Sequence, residues 1–103
     1  MSRQPEQQTE ISIIVPVYNR RDEVRDLLDS LSRQTDGGFE IVIVEDGSTD
    51  PCRDICDEYA SRLNLKYFHK GNEGRSIARN YGIERADGDF FVFVDSDCIL
   101  PAE

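Results

Sequence analysis

The stretch FEIVIVEDGSTDP, residues 39–51, holds a strand, a turn and a helix start in one run. Its central residues Ile41, Val42, Ile43 and Val44 are β-branched and uninterrupted, as in a short strand covered on both faces rather than one with a wet side. EDGSTD then supplies turn formers. Asp50 and Pro51 read as a helix cap and a first helical residue, and Cys52, Ile55, Cys56, Tyr59 and Leu63 follow on one helical stripe. A doubly covered strand leading into an amphipathic helix is the repeating unit of a parallel sheet.

The unit recurs on both sides. Upstream, ISIIV (residues 11–15) is a second doubly covered strand, ended by Pro16, which has no N–H for a ladder. Asn19 reads as an N-cap for a helix with Val24, Leu27, Leu28 and Leu31 at i, i+3, i+4 and i+7, stopped by Asp36-Gly37-Gly38. Downstream come a weaker strand LKYFHK (residues 65–70), a loop GNEG, a helix over residues 75–86, a turn at Asp87-Gly88 and the strand FFVFV (residues 90–94). The order β, α, β, α, β, α, β with right-handed crossovers predicts an α/β fold, a Rossmann-like open, mainly parallel sheet with helices on both faces.

The chain has 103 residues, enough for one core, and its 21 acids against 12 bases give a net charge of −9. That charge repels nucleic-acid backbones and anionic membranes, so no nucleic-acid partner is expected. Cys52, Cys56 and Cys98 are an odd set without CxxC spacing, and His69 is the only histidine. This fits buried thiols in a reducing cytoplasm better than a zinc site or a disulfide framework. Residues 1–10 are polar and read as a disordered leader; no run approaches a membrane span.

In such sheets ligands bind beyond the carboxyl ends of the strands, so the four strand exits are the informative positions. The first carries Pro16 and Tyr18, whose ring either stacks on a nucleobase or packs on the next helix. The second carries Asp46, placed to accept from a pyrimidine imide N–H or to make an Asx-turn, beside Gly47. The third carries Asn72 between Gly71 and Gly74, ahead of a helix whose free N–H groups suit an anion, with Arg79 one turn in. The fourth ends in FVFVDSD, residues 91–97, where Asp95 and Asp97, two residues apart, can converge. Unless they form a solvated acidic turn, two close carboxylates repel until a cation or a shared proton intervenes, and carboxylate oxygens suit Mg2+ or Mn2+. Neither GxGxxG nor a P-loop is present.

Together VPVYNR, VEDGSTD, NEGRSIARN and DGDFFVFVDSD, in that order, resemble the nucleotide-sugar-binding half of the family 2 inverting glycosyltransferases, which have the GT-A fold. The resemblance covers nearly all of residues 11–103. It implies a nucleotide-sugar donor, a UDP-sugar, with Pro16, Tyr18, Asp46, Asn72, Gly74 and Arg79 around it. It implies Asp95 on ribose and metal and Asp97 on metal and diphosphate, with Mn2+ or Mg2+ as cofactor. It further implies strand order 3-2-1-4, which leaves FFVFV at an edge open to self-association.

Family members continue well beyond the DxD into an acceptor half that holds the catalytic base. By this likeness the base is expected beyond Glu103. Residues 11–103 are therefore expected to form a donor-binding half, without the base and with the acceptor glycan, lipid or polysaccharide undefined. A receiver domain is the poorer alternative, because PVYNR lacks the acidic pair such a domain needs after its first strand. A non-catalytic nucleotide-binding or interaction domain with the same fold is the other reading.

Overall fold

The computed structural model describes residues 11–34 and 38–94. They form β1 (Ile11–Val17), α1 (Arg21–Ser32), β2 (Phe39–Asp46), α2 (Arg53–Tyr59), β3 (Leu65–Lys70), α3 (Arg75–Arg85) and β4 (Phe90–Phe93). The four strands make one sheet of order β3-β2-β1-β4 with every neighbouring pair parallel, as expected.

Alternation along the doubly covered strands divides the core in two. Ile13 and Val15 of β1 and Ile41 and Ile43 of β2 face α1 and α2, meeting Leu27, Leu28 and Ile55. Ile14, Val42 and Val44 face the other way onto α3, where Ala78 is buried. That second layer is thin because α3 lies close to the sheet. A Cβ on Gly82 would stand 2.8 Å from Ile14 Cγ2 and 3.2 Å from Val44 Cγ2, so a glycine is the residue that fits there. Arg21 grips Asp54 at 2.6 and 3.0 Å and Arg25 grips Glu58 at 2.9 Å, fastening α1 to α2 on the outside.

At the amino ends of the strands a buried carboxylate anchors the α3–β4 turn. Glu40 accepts from Ser12 Oγ at 2.6 Å and from the Asp87 N–H, and pairs with Lys66 Nζ at 3.1 Å. Ser12 Oγ in turn accepts from Gly88 N at 2.9 Å. The residues that start β4 are thereby held against the start of β1.

Three local expectations are corrected. β1 runs through Pro16 to Val17, with Pro16 opposite Val44. The carbonyl of Ile14 accepts from Val94 N, so Pro16, two residues on, aims its nitrogen toward the β4 side and the β2 ladder loses no donor. Asn19 is not the cap of α1; it lies at φ +52° outside the helix, which Arg20 precedes without a side-chain cap bond. In α2, Asp50 and Pro51 lie ahead of the helix, Cys52 takes the N-cap position and Leu63 falls beyond the end.

β4 is an edge strand, and Phe90, Phe91, Val92 and Phe93 are 67, 39, 43 and 45 % exposed. Its hydrogen bonds run to β1 alone among the described residues. Among the same residues no helix is long and apolar enough to cross a membrane.

Candidate functional site

The β1–β2 ladder ends on the pair Val17 and Glu45. The next residues are Tyr18 and Asp46, so adjacent strand exits carry a ring and a carboxylate, with Asp46 still in β2 opposite Lys70 of β3. Tyr18 is 51 % exposed, so about half of its surface is open to a ligand. Pro16 is buried beneath it in the strand.

Asp46 is 6 % exposed and holds the third strand exit in place. Its Oδ1 accepts from Glu73 N at 2.8 Å and its Oδ2 from Gly74 N at 2.9 Å. The free N–H groups expected ahead of α3 thus already face an anion, and that anion is Asp46. The helix dipole favours this placement, since Gly74 is the N-cap of α3 and its carbonyl accepts from Ala78 N. The Asx-turn alternative is set aside, because the carboxylate reaches another loop instead of its own. Oδ2 keeps a second lone pair for a ligand N–H, while Oδ1 also faces the Lys70 ammonium.

Close approach reinforces the clamp. A Cβ on Gly47, at φ +77°, would fall 2.6 Å from both Cβ and N of Asn72, so the loop of residues 71–74 rests on the backbone of residue 47. Lys70 closes the cluster: its Nζ is 3.5 Å from Asp46 Oδ1, donates to the Gly71 carbonyl at 2.7 Å and pairs with Glu73. The Glu73 hydrogen bond, aided by the Asp46 charge, pushes the Lys70 ammonium above its ordinary value.

Arg79 stands over the Phe93 ring at 5.4 Å, beside the last residues of β4. Its Nε is buried with no hydrogen-bond partner among the described residues. Asp95 and Asp97 lie outside the described residues, as does Cys98. Glu103, beyond which the catalytic base is expected, lies outside them too. Among the described residues no group of three His, Cys, Asp or Glu is arranged to hold a metal ion, and the two carboxylates expected to bind it lie outside them. Their chemistry fits, since two carboxylates suit a hard cation, and β4 runs parallel to β1, toward the end of the sheet where Asp46 lies.

Sequence reading missed Glu45 and gave Asn19 the wrong task. Glu45 is fully buried and accepts from Ser48 Oγ and from the N–H of Cys52, the residue at the N-cap position of α2. Asn19 Oδ1 accepts from Thr49 N and Asp50 N, both at 3.0 Å. The signal for Glu45 was present: in a strand covered on both faces, a charged residue at the exit must find donors. A hydrogen bond with the neighbouring Cys56, burial and the Glu45 charge push the Cys52 thiol up, which leaves it unreactive. A hollow of about 220 Å3 lined by Arg53, Cys56, Asp57, Ala60, Leu65 and Tyr67 lies between α2 and β3 and touches none of the candidate residues.

Comparison with known proteins follows this geometry. A glycosyltransferase of Rickettsia felis is 41 % identical over 97 residues, 94 % of this chain and 16 % of its own length. The crystal structure of S. aureus TarS 1-349 in complex with UDP superposes with a TM-score of 0.85 at 37 % identity, over 92 % of this chain and 29 % of that one. The mannosyltransferase PcManGT of Pyrobaculum calidifontis, in complex with GDP-Man and Mn2+, gives 0.82 at 26 % identity, over 98 % of this chain and 31 % of that one. The chain thus spans less than a third of each of these proteins, and it shares the GT-A architecture of the two crystal structures. The sequence model of Glycosyl transferase family 2 matches residues 12–103, and with the strand exits arranged as above the chain belongs to that family.

Proposed function

We propose that residues 11–103 form the donor-binding half of an enzyme that transfers a sugar from a UDP-sugar to an acceptor hydroxyl with inversion. The observation that carries this reading is the loop of residues 71–74 fastened over Asp46 at the exit of β2, next to the β1 exit that carries Tyr18. The complex of S. aureus TarS with UDP, the more similar of the two structures, supports uridine over guanosine.

In this reading Tyr18 offers a face to the uracil, and Asp46 presents its remaining Oδ2 lone pair to the imide N–H while keeping the loop of Asn72 and Gly74 closed against the base. Pro16 fixes the angle at which the first exit leaves the sheet. Arg79 braces the end of β4, from which Asp95 reaches the ribose and Asp97 the diphosphate. A divalent ion bound by Asp95 and Asp97 would supply positive charge to a departing diphosphate, which a chain of net charge −9 otherwise repels. A cytoplasmic setting is supported by the free, buried Cys52 and Cys56.

The exposed β4 favours a second reading, an interaction domain that has kept the fold and lost the chemistry. Calorimetric titration of UDP with and without Mn2+ separates the two. Metal-dependent binding, lost in Asp97→Ala with the fold intact, supports the donor site. A folded chain that binds no UDP in either condition sinks it.

A further inference from the structure

We infer that Asn19 is a positioning residue that sets the Tyr18 ring against the Asp46 carboxylate; the inference rests on the donor-site reading above. The β1–β2 ladder stops at Val17 and Glu45; Asp46 is still held in β2 opposite Lys70 of β3, but Tyr18 lies beyond β1 and the sheet does not fix its place. Asn19 takes over at that point. It follows Tyr18 in the left-handed region at φ +52°, a conformation asparagine tolerates better than most residues. Its N–H donates to Ser48 Oγ at 2.8 Å, and its Oδ1 accepts from Thr49 N and Asp50 N at 3.0 Å and from Thr49 Oγ1 at 3.3 Å. Ser48 Oγ–H donates onward to the buried Glu45, whose other oxygen accepts from Cys52 N, so the clamp is grounded in the start of α2.

The carboxamide and the Thr49 and Asp50 amides are exposed. Water replaces Oδ1 there at little cost to folding, whereas the relative placement of ring and carboxylate has no substitute.

The test uses Asn19→Gly, which keeps the left-handed backbone and loses the acceptor, and Asn19→Asp, which keeps both. UDP and, as a probe without a base, inorganic pyrophosphate with Mn2+ are titrated against each. Asn19→Gly is expected to weaken UDP about tenfold, leave pyrophosphate and the melting curve unchanged, and add nothing in a Tyr18→Ala background. Asn19→Asp is expected to bind UDP as the parent does. Unchanged UDP affinity in Asn19→Gly, equal loss of both ligands, additivity with Tyr18→Ala, or failure of Asn19→Gly to fold would each overturn the inference while parental UDP binding stands. A folded parent that binds no UDP would overturn the donor site, and this inference with it.

Discussion

Gly47 and Asn72 meet so closely that a methyl group cannot be placed between them: a Cβ on Gly47 would lie 2.6 Å from the Asn72 backbone nitrogen. The φ of +77° at Gly47 adds a conformational penalty for any other residue. Gly47→Ala is therefore expected to destabilise the chain by roughly 1–3 kcal/mol and to push the loop of residues 71–74 off Asp46. Urea denaturation gives the first quantity. Faster amide exchange at Glu73 and Gly74 reports the second, and unchanged exchange there would show that the loop moves with the methyl group.

Tyr18 is half exposed and outside both core clusters, so its removal separates binding from folding. Tyr18→Ala is expected to weaken UDP by about 1–3 kcal/mol, the range for stacking of a base on an aromatic ring, with no change in the denaturation midpoint. Equal weakening of pyrophosphate with Mn2+ would assign the ring to loop support.

Acid should loosen the α1–α2 contact. The Arg21 guanidinium holds the Asp54 carboxyl down at about 2, below its unfolded value near 4. A carboxyl depressed in the folded state stabilises above its unfolded value, and that contribution is lost as pH falls from about 4 through about 2. Asp54→Asn is expected to melt slightly below the parent at pH 7, the pair being mostly exposed, with the gap closing as pH drops through that window. A gap that persists at pH 2 would mean that the Arg21 bond to the Pro51 carbonyl, not the charge, is what the substitution disturbs.

An edge strand that exposes Phe90, Phe91, Val92 and Phe93 is a template for another chain. Light scattering across a concentration series is expected to show self-association despite a net charge of −9, and Phe91→Lys is expected to suppress it. A monomer at every concentration, indifferent to the lysine, would show the edge to be protected.

The centre of the sheet was legible because β1 and β2 are covered on both faces. Unbroken β-branched runs such as Ile41 to Val44 have few other uses, and helical spacing such as Leu27, Leu28 and Leu31 marks the covering layer. The resemblance supplied the strand order, which local pattern does not contain. The strand exits were legible as places but less so as bonds. Asn19 and Asp46 look like local caps in sequence, since short polar side chains usually bond their own neighbours. Here both reach across to the following exit, and only the parallel register, which aligns exits far apart in the chain, makes that possible. Pro16 misled for a related reason: whether a proline ends a strand depends on which neighbour its nitrogen faces.

The cross-bonding of the exits bears on how such a pocket can be altered. Asn19 holds the loop after β2, and Asp46, on that loop, holds the loop after β3. Each segment is the scaffold of the next, so the three do not transplant singly. Grafting one exit from a relative with another donor preference would strip its neighbour of an acceptor or jam it against Gly47. A donor-switching design should exchange residues 18–19, 46–50 and 71–74 as one cassette.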